Sequence, residues 1–523
     1  MSEMKRRDFM KTAGAAGAFM IAQGINVKSY AQNDTVQVGC IGTGGQGSFH
    51  LRTGLAGTEN IQIIGIADVF EPHQKSGTLY GQISNAKVMI KEGQQFSELS
   101  EEEQQKVKDA KRPDAFYDYK EMLSTLGDQL DAVIIATPLD THYQLTMDAL
   151  NAGKWVFCEK TMVQTIEQGR DIVKKCHETG KFVQIGHQRH YNPKYNLAMD
   201  LVYNKGYLGR ITHITAQWHR NTNWRRNWQD EYTSADGGPY VMNDEEKKYI
   251  PDLERHLNWR MYKERSGGLF TELATHQTDV ANWFLRMPPT RVHTFGGLDY
   301  WKDGRDVEDN IMMAYEYQEK PGMPGFIPMD ARSQLQDTAK INKSYTVRFG
   351  YSSILMNQKR GASELIQGDH GSLELSETIC KFYGEPVATE GPKKPGGGSS
   401  ITSGASLMTP EKMKALQEGK ELLATCDLKP ADIYQFQAFA HHIKNGGVPR
   451  TNQMVGHITA IGAIAAIESL KQGKTIDVDP AWYTFDFEVP SFTEFEFDHS
   501  KYDCKEEPAA AAPAEEKKEE KKG

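Results

Sequence analysis

Residues 36–47 read Val-Gln-Val-Gly-Cys-Ile-Gly-Thr-Gly-Gly-Gln-Gly. The first half is a short apolar run that predicts a buried strand, and the second half has the Gly-x-Gly-x-x-Gly spacing of a dinucleotide-binding turn. In such a turn Gly42 permits the sharp bend, Gly44 lets the backbone approach a pyrophosphate, and Gly47 allows the next helix to pack closely. The stretch therefore predicts the first strand, turn and helix of a nucleotide-binding sheet.

Strands and helices alternate beyond this turn. Apolar runs at 61–67, 131–136 and 155–158 predict three more strands, with a helix at 143–152, and this alternation indicates a parallel sheet covered on both faces. Asp68 follows the second strand directly, where an acidic residue binds the adenosine ribose in sheets of this kind. Its carboxylate would repel a 2′-phosphate, so the expected cofactor is NAD rather than NADP.

The pattern changes beyond Gly209. Runs at 211–218, 309–317, 344–351 and 372–375 have the composition of strands. They predict a second domain built on a largely antiparallel sheet.

The crossover that follows Asp68 is unusually long and extends to about residue 115. Within it Ser100 and Glu103 have the spacing of a capping box, which predicts the start of a very polar helix. A solvated surface helix is a simpler interpretation of this pattern than an element that binds a partner.

The two ends of the chain are predicted to lie outside the folded domains. Residues 5–11 read Lys-Arg-Arg-Asp-Phe-Met-Lys and precede a short apolar run, which predicts a twin-arginine signal at 1–31 and export of the folded protein to the periplasm. Residues 486–523 are expected to form an extended arm and a disordered tail of Ala, Glu and Lys. Alternating aromatic residues at 485–489 and 492–497 indicate a strand with one buried face, packed on its own sheet or on a neighbouring subunit.

Composition excludes some classes of function. The 523 residues carry a formal net charge of −9, which does not favour nucleic acid as a partner. No run reaches the roughly 18 uninterrupted apolar residues of a membrane span, so no integral membrane segment is expected. The cysteines show no paired spacing, so neither a disulfide framework nor a metal site is indicated. They are Cys40, Cys158, Cys176, Cys380, Cys426 and Cys504.

Polar residues follow several of the predicted strands. In an open parallel sheet ligands lie beyond the carboxyl ends of the strands, so these residues are candidates for the cofactor and substrate site. Lys160 taken alone would fit an exposed strand end equally well. The candidates at these positions are Thr137, Pro138, His142, Glu159, Lys160, Gln188 and Arg189.

A second group of candidates lies in residues 267–279, which predict a helix with one polar and one apolar face. His276 lies in the apolar face, where a histidine on its own is more often a core residue. Glu272 precedes it by four residues and is expected one helical turn away on the same side. A carboxylate there can orient the ring and raise its basicity, which favours a general base.

The stretch 217–228 combines three tryptophans with arginines and asparagines. Aromatic faces stack on sugars while Arg and Asn bind hydroxyls, so the stretch suits a carbohydrate, although a strand followed by a surface loop explains it equally well. Arg and Trp could also bind single-stranded nucleic acid, which the acidic balance of the chain opposes.

These motifs together resemble those of the Gfo/Idh/MocA oxidoreductases, which include glucose-fructose oxidoreductase and inositol dehydrogenase, over roughly residues 35–479. Residues 159–161 are similar to the family's Glu-Lys-Pro motif, and residues 186–189 to its Gly-x-Gln-x-Arg motif. Glu272 and His276 are similar to its Asp-x-x-x-His catalytic pair.

The chain departs from the family pattern in three places. Thr161 replaces the proline that helps to fix the strand end beside Lys160. Glu272 replaces the aspartate and is longer by one methylene group. The long crossover after Asp68 has no counterpart in the family.

The resemblance implies an α/β fold, with an N-terminal Rossmann doubly wound parallel sheet and a C-terminal α/β domain with an open, mainly antiparallel sheet. We expect the NAD-binding domain at 32–160, with its long insertion at about 70–115. The substrate and oligomerisation domain is expected at 161–485. Because family members commonly form homo-oligomers, a homo-oligomer is expected here.

The resemblance also implies an exported NAD(H)-dependent oxidoreductase that acts on a secondary hydroxyl of a sugar or glycoside. His276 would take the hydroxyl proton, Lys160 would hold the developing alkoxide, and Glu272 would complete the catalytic set. A periplasm maintains no pool of free nicotinamide cofactor, so the cofactor is expected to be held tightly. The alternatives are an NAD-dependent redox-neutral glycosidase and a non-catalytic sugar-binding relative.

The motifs and their resemblance to the Gfo/Idh/MocA family predict two sets of site residues. No metal site is expected. The cofactor-binding set is Gly42, Gly44, Gly45, Gln46, Gly47, Asp68, Thr137, Pro138, His142, Glu159, Lys160, Gln188 and Arg189. The substrate-binding set is Lys160, Arg189, Trp218, Trp224, Arg225 and His276.

Overall fold

The described part of the chain covers most of both domains. In the computed structural model the described residues are 35–319, 345–384, 419–422 and 429–493, without residues 92 and 235. The expected export signal and the chain beyond residue 493 lie outside the described residues.

The N-terminal domain is a six-stranded parallel sheet with helices on both sides. Its strands are β1 Val36–Ile41, β2 Ile61–Ala67, β3 Asp114–Phe116, β4 Ala132–Ile135, β5 Trp155–Cys158 and β6 Val183–Ile185. Its helices are α1 Gly45–Phe49, which continues as the π-helical turn His50–Leu55, then α2 Glu71–Asn85, α3 Glu101–Asp109, α4 Tyr119–Leu126, α5 Leu139–Asn151 and α6 Ile166–Thr179. Helix α7 Pro193–Tyr203 follows β6 and packs in the core of the second domain. The strand order β3-β2-β1-β4-β5-β6 is that of a Rossmann fold.

Helices cover this sheet on both faces, which explains why its strands are continuously apolar. Every residue of β4 and β5 is buried. Val38 and Cys40 belong to one apolar cluster and Ile41 to another, because successive side chains of a strand point to opposite faces. The predicted parallel sheet is confirmed.

The Rossmann domain extends beyond the predicted boundary at residue 160. Strand β6 pairs in parallel with β5, and α6 forms the crossover between them. The boundary therefore lies after β6, and the predicted ranges 32–160 and 161–485 are wrong at this point. The apolar run 183–185 before Gln188 was expected to be a strand, but its sequence did not show that it belongs to the first sheet.

The C-terminal domain contains a nine-stranded mixed sheet. Its strands are β7 Ile211–His219, β8 Arg291–Gly297, β9 Asn310–Glu319, β10 Tyr345–Ile354, β11 Ala362–Gly368, β12 Gly371–Leu375, β13 Cys380–Gly384, β14 Lys420–Glu421 and β15 Ile476–Asp477. The order is β14-β13-β12-β11-β7-β10-β9-β8-β15. Of the described pairings in this sheet only β7 with β10 is parallel, so the prediction of a mainly antiparallel sheet is confirmed.

Six further helices follow β7 in the chain, and two of them, α11 and α13, pack on this sheet. The six are α8 Trp228–Glu231, α9 Glu246–Tyr249, α10 Leu253–Leu257, α11 Thr275–Leu285, α12 Ala431–Asn445 and α13 Gln453–Gln472. Val280 of α11 and Ile461 of α13 lie in the core of the second sheet, whereas Ala460 of α13 lies in a core of the first. Helix α13 therefore joins the two domains through both of their cores.

Helix α13 is the only helix of the described residues that is long and apolar enough to cross a membrane by length and composition. Its most apolar window has a mean hydropathy of 1.3, and 61% of that window is buried inside the protein.

The C-terminal helix α12 returns to the Rossmann domain. Phe436 and Phe439 belong to the same apolar cluster as Val36 and Val38 of the first strand. Gly54 allows this approach, because a Cβ there would lie 2.8 Å from the Phe436 ring. The first sheet is thus completed by residues from the far end of the chain.

The long crossover after Asp68 consists of a regular helix and an added surface unit. Helix α2 fills its first part, and the predicted capping box is confirmed, since Ser100 and Glu103 hydrogen bond reciprocally at the start of α3. Val88, Ile90 and Val107 form a small apolar cluster with α2. The part beyond a normal crossover is therefore 86–113, shorter than the expected 70–115.

The aromatic segment after β15 packs on a helix of its own chain. Phe487 stacks on His177 of α6 at a centroid distance of 4.1 Å, and Arg170 lies 4.7 Å from the Phe485 ring. Residues 485–489 form no strand, so the prediction of a strand there is wrong. These aromatic side chains lie against a helix of the Rossmann domain rather than on a sheet.

Candidate active site

The glycine turn connects β1 to α1 in a conformation that needs its glycines. Gly42 has φ 82°, and a Cβ there would lie 2.6 Å from Cγ2 of Thr137. A Cβ on Gly47 would overlap the carbonyl oxygen of Gly42. At Gly45 nothing lies within 4 Å of that position, and Gln46 beside it is exposed. The turn thus has a tight inner side and an open outer side at the start of α1.

Asp68 is fixed against this turn. Its Oδ2 accepts a hydrogen bond of 2.7 Å from the Thr43 amide, and its Oδ1 accepts one of 2.9 Å from the Phe70 amide. The Thr43 hydroxyl also lies 3.3 Å from Oδ2, so Oδ1 is the oxygen that retains a lone pair for another donor. The arrangement therefore leaves Asp68 able to accept hydrogen bonds from a ribose.

A segment of the C-terminal domain packs beside Asp68. In residues 221–262, which we call the cover segment, Tyr232 lies 4.9 Å from the Phe70 ring and its hydroxyl is 2.9 Å from Nε2 of His73. The buried Glu246 accepts a 2.8 Å hydrogen bond from the Glu71 amide. The cover segment is thus attached to the residues that follow the ribose-binding position.

Glu159 belongs to a buried ion-pair network. Its Oε1 is 2.7 Å from Nε2 of His50, while Nδ1 of His50 is 3.4 Å from Asp432 of α12. Burial lowers the pKa of His50, but the two carboxylates outweigh burial and raise it to about 9. Glu159 is only 8% exposed and also accepts from the Lys160 amide at 3.0 Å. It therefore positions the strand end, and its predicted direct contact with cofactor is not favoured.

His142 was also predicted to bind the cofactor, but both of its ring nitrogens contact backbone carbonyls. Its Nδ1 is 2.8 Å from the Thr161 carbonyl and its Nε2 is 2.9 Å from the Thr137 carbonyl. Burial lowers its pKa, but Cys158 and the two carbonyls outweigh burial and raise it to about 9. Both ring nitrogens thus hold the ends of β4 and β5 together, with none left for a ligand. Pro138 follows Thr137 and starts α5.

Lys160 lies at the junction of the two domains. Its Nζ donates a 3.0 Å hydrogen bond to the Glu272 carbonyl. The Lys160–Thr161 peptide bond is cis, and the Thr161 hydroxyl donates to the Thr271 carbonyl at 2.9 Å. Thr161 therefore ties the strand end to the facing helix, where the family has a proline.

The predicted Glu272–His276 contact is not formed. Residues 270–274 form a π-helical turn before α11, which alters the one-turn spacing that an α-helix would give. The Glu272 carboxylate instead pairs with Nε of Arg260 at 2.8 Å, and no hydrogen bond joins it to His276 in the described structure. The expectation that Glu272 orients the ring is therefore wrong for this arrangement.

His276 is 5% exposed and lies among positive charges. Burial lowers its pKa well below the ordinary value, and the charges of Arg189, Lys160, His187 and Arg220 lower it further. This is opposite to the expected increase in basicity. A neutral imidazole at neutral pH is nevertheless in the form that can accept a proton.

Arg189 lies behind His276 and is not available to a ligand. It is 2% exposed, and its Nη1 is 3.4 Å from the Glu364 carboxylate of β11, which Tyr195 also contacts at 2.6 Å. Glu364 raises the pKa of Arg189 against the opposing effect of burial. The predicted substrate and cofactor contacts of Arg189 are therefore wrong, whereas its half-buried neighbour Gln188 stays a candidate.

The aromatic stretch contributes a wall to the site. Trp218 on β7 lies 5.1 Å from the His276 ring, and the Arg220 guanidinium lies 5.0 Å from Trp218 and 6.0 Å from Trp224. The structure therefore brings Trp218 to the predicted base, and Trp224 to the neighbouring Arg220. Arg225 differs, because Glu254 and Asp303 bind its guanidinium. Its predicted role in binding substrate is not favoured.

No group of three or more His, Cys, Asp or Glu in the described residues could hold a metal ion. Four described cysteines are buried and free, namely Cys40, Cys158, Cys176 and Cys380. Cys426 and Cys504 lie outside the described residues.

The domains match known families in the order in which they occur. Residues 36–187 match the oxidoreductase family with an NAD-binding Rossmann fold, and residues 246–339 match the GFO/IDH/MocA C-terminal domain. The chain carries both domains of the Gfo/Idh/MocA oxidoreductases. The first match ends just after β6, in agreement with the observed limit of the Rossmann sheet.

Curated relatives in the Gfo/Idh/MocA group are distant. The inositol 2-dehydrogenase of Rhizobium meliloti is 24% identical over 263 residues, which cover 50% of this chain and 68% of the relative. A glycosyl hydrolase family 109 protein of Shewanella baltica is 25% identical over 271 residues, covering 46% of this chain and 53% of the relative. The first of these matches spans about two thirds of the relative's length and the second about half.

Solved structures of the same fold cover more of the chain. Levoglucosan dehydrogenase in complex with NADH and levoglucosan has a TM-score of 0.54 and 16% identity, covering 85% of this chain and 100% of that one. The WlbA dehydrogenase of Bordetella pertussis, in complex with NADH and UDP-GlcNAcA, has a TM-score of 0.53 and 15% identity, covering 85% and 99%. At this identity the likeness shows the fold.

The residues of the turn fit the NAD of a Gfo/Idh/MocA Rossmann domain. The open side at Gly45 and the start of α1 suit a pyrophosphate, and the lone pair left on Oδ1 of Asp68 suits a ribose hydroxyl. Lys160 has donors left beyond its bond to the Glu272 carbonyl, so it can also reach a ligand on the nicotinamide side.

Several residues that shape the site were not predicted from the sequence. His50, Glu364 and Arg260 carried no signal, because each acts through a partner far away in the chain. Arg220 lay within the stretch 217–228 but was not singled out, although its place between two tryptophans was a usable signal. Beyond residue 228 the cover segment had no detectable pattern of its own.

Proposed function

We propose that this chain is an exported NAD(H)-dependent dehydrogenase that oxidises a secondary hydroxyl of a sugar or glycoside and holds its cofactor tightly. The observation that carries the proposal is the buried His276 against the ring of Trp218, with Lys160 close enough for its charge to lower the pKa of the imidazole. A base, an alkoxide stabiliser and a sugar-stacking surface thereby converge at the carboxyl ends of the strands.

In this reaction the substrate loses a hydride from carbon and a proton from oxygen. The glycine turn and Asp68 would hold NAD, which when bound would supply the acceptor for the hydride. The ring of His276 accepts the proton, and Lys160 stabilises the oxygen as negative charge develops on it. The product is a ketone, and the imidazolium then returns its proton to water.

The cover segment favours tight cofactor retention. It joins α2 through Tyr232, His73 and the Glu71 amide, next to the position expected to hold the adenosine ribose. Release of a dinucleotide from that position would require these contacts to open. An enzyme of the periplasm, where free nicotinamide is not maintained, needs such retention.

A redox-neutral glycosidase is the second candidate, because glycosyl hydrolase family 109 proteins are among the relatives. Such an enzyme would oxidise and later reduce the same sugar in one cycle. It would cleave a coloured glycoside without net NADH.

The test begins with folded protein from residue 32 onward, purified without added cofactor. Bound nicotinamide is followed by absorbance and fluorescence while free sugars and glycosides are added. A dehydrogenase shows bound NAD that becomes reduced. Unchanged NAD together with glycoside cleavage would favour the glycosidase, and a protein without bound cofactor would contradict tight retention.

A further inference from the structure

Most charged side chains around His276 are paired with carboxylates. Glu364 lies 3.4 Å from Arg189, and Glu272 lies 2.8 Å from Arg260. His187, whose charge acts on His276, lies 3.6 Å from Asp279. Lys160 has no carboxylate partner in the described residues, where its Nζ bonds the Glu272 carbonyl, and it is assigned to the reacting oxygen.

Arg220 has no such partner. In the described residues its guanidinium makes no hydrogen bond or ion pair, and it lies half-buried between the rings of Trp218 and Trp224. Glu272, the carboxylate on the His276 side, already binds Arg260. The exposed Glu377 is the other carboxylate whose charge reaches Arg220, and no bond joins them. A cation taken partly out of water without an acceptor is costly and therefore suits an incoming anion.

The position of Arg220 relates it to the reacting group. Trp218 contacts the His276 ring at 5.1 Å and the Arg220 guanidinium at 5.0 Å. The base and the free cation thus both lie against one indole ring, beside Arg189 at 5.4 Å. A sugar with one hydroxyl at His276 would bring another of its substituents within reach of Arg220.

The shape and charge of the Arg220 guanidinium favour a carboxylate over a phosphate as its ligand. The planar guanidinium of Arg220 has all its side-chain N–H donors unused in the described residues, and two of them together match the two oxygens of a carboxylate. Only one arginine charge is uncompensated, since Lys160 is assigned to the reacting oxygen. A monoanion therefore balances the site, whereas a phosphate would bring a second negative charge.

We propose that Arg220 binds the carboxylate of an acidic sugar, so that the substrate is a uronic acid or a glycoside of one. This inference rests on the proposed dehydrogenase for the oxidation itself, but its binding step can be measured without turnover. Arg220 is then the residue that sets specificity between an acidic sugar and the matching neutral sugar.

Binding is tested with matched ligand pairs. Tryptophan fluorescence of the full protein is titrated with methyl glucoside and methyl glucuronide, with the galacto pair, and with the corresponding 6-sulfates. One uronide should bind about 10- to 100-fold more tightly than its neutral partner, the range for a charge-assisted pair. Equal affinity within every pair, failure of every uronide to bind, or tighter binding of the sulfate would overturn the assignment.

Variants locate the effect. Arg220→Met should remove the preference for the uronide while changing affinity for the neutral sugar by no more than about 3-fold, and Arg220→Lys should retain part of the preference. Arg348→Met is the control, because Arg348 lies on β10 of the same sheet and its side chain is 66% exposed. An unchanged preference in the folded Arg220→Met protein would contradict the proposal.

Turnover separates this inference from the proposed function. Reduction of bound NAD by neutral sugars without a preference for uronides would uphold the dehydrogenase and refute the carboxylate site. Binding of a uronide that depends on Arg220 but never changes the cofactor would uphold the carboxylate site and refute the dehydrogenase.

Discussion

The cofactor side and the reaction side of this site are built differently. The cofactor side rests on one short stretch, the turn that ends at Gly47, and on Asp68 one strand away. The reaction side combines Lys160 of the first domain with Trp218 and His276 of the second. Local backbone geometry thus forms the first side, while long-range packing between domains forms the second. Changes at one side should leave the other working.

Replacing the base should have the largest effect. His276→Ala removes the proton acceptor and should reduce kcat by about 100- to 10,000-fold, since that is the usual contribution of general base catalysis. NAD binding should be unchanged, because His276 is remote from the glycine turn. Steady-state kinetics and bound-nicotinamide fluorescence check both parts. Loss of NAD together with turnover would show that the two sides are not independent.

Removing the charge at the strand end should have the next largest effect. Lys160→Met should reduce kcat by about 100- to 1,000-fold, because a preorganised donor to the developing alkoxide is lost. The protein should still bind NAD. Turnover close to that of the unaltered enzyme would remove Lys160 from the reaction side.

The buried network under the cofactor side should make stability depend on pH. Because the pKa of His50 is raised to about 9, its stabilising charge is fully present below its unfolded pKa and is lost as pH rises through 9. We expect the free energy of unfolding to fall by on the order of 1–3 kcal/mol between about pH 6.5 and pH 9. Asp432→Asn should reduce that fall, as measured by denaturant unfolding. Identical pH slopes for the two proteins would refute this role.

The cover segment offers a smaller effect confined to the cofactor side. Tyr232→Ala removes the contact with Phe70 and the bond to His73, and NAD should be released about 10-fold faster, as expected for one aromatic pair and one hydrogen bond. Stopped-flow displacement of bound NADH measures this rate. Tyr300→Ala is the matched control, because Tyr300 is 62% exposed. Equal release rates in both variants would contradict the role of the cover segment.

The smallest expected effect concerns the pH dependence of the reaction side. Because burial and the charges of Arg189, Lys160, His187 and Arg220 lower the pKa of His276, the acid limb of kcat/KM should lie below about pH 6.5. Arg220→Met removes one of these charges and should move that limb to higher pH by less than about one unit. The profile is measured with a neutral glycoside. A limb that moves to lower pH would contradict this explanation.

The same contrast explains what the sequence could and could not predict. The glycine turn and Asp68 were predictable because their function depends on neighbours in the chain. Glu272 was assigned to His276 from α-helical spacing, and a π-helical turn, which leaves no mark on periodicity, directs it to Arg260. Arg189 was expected to be open to ligands, because nothing in the sequence indicated its pairing with Glu364.

The fold, like the site, was predictable where it depends on neighbouring residues and not where it depends on distant ones. The long apolar strands of both sheets were identified, and the six parallel strands follow the expected topology. An apolar strand before Gln188 was expected, but nothing in its three residues showed that it pairs with β5, so the domain boundary was placed too early. Strands β8, β11 and β13 were missed because their residues alternate with many polar neighbours, and only pairing with adjacent strands defines them.

The return of α12 to the first sheet sets the order in which this protein can mature. A chain emerging from the ribosome has all six parallel strands once β6 is made, yet the side chains of Phe436 and Phe439 that cover them come only near its end. The nucleotide-binding half therefore finishes folding after nearly the whole polypeptide has been synthesised. A dinucleotide would therefore bind only after α12 has been synthesised, when both domains can fold.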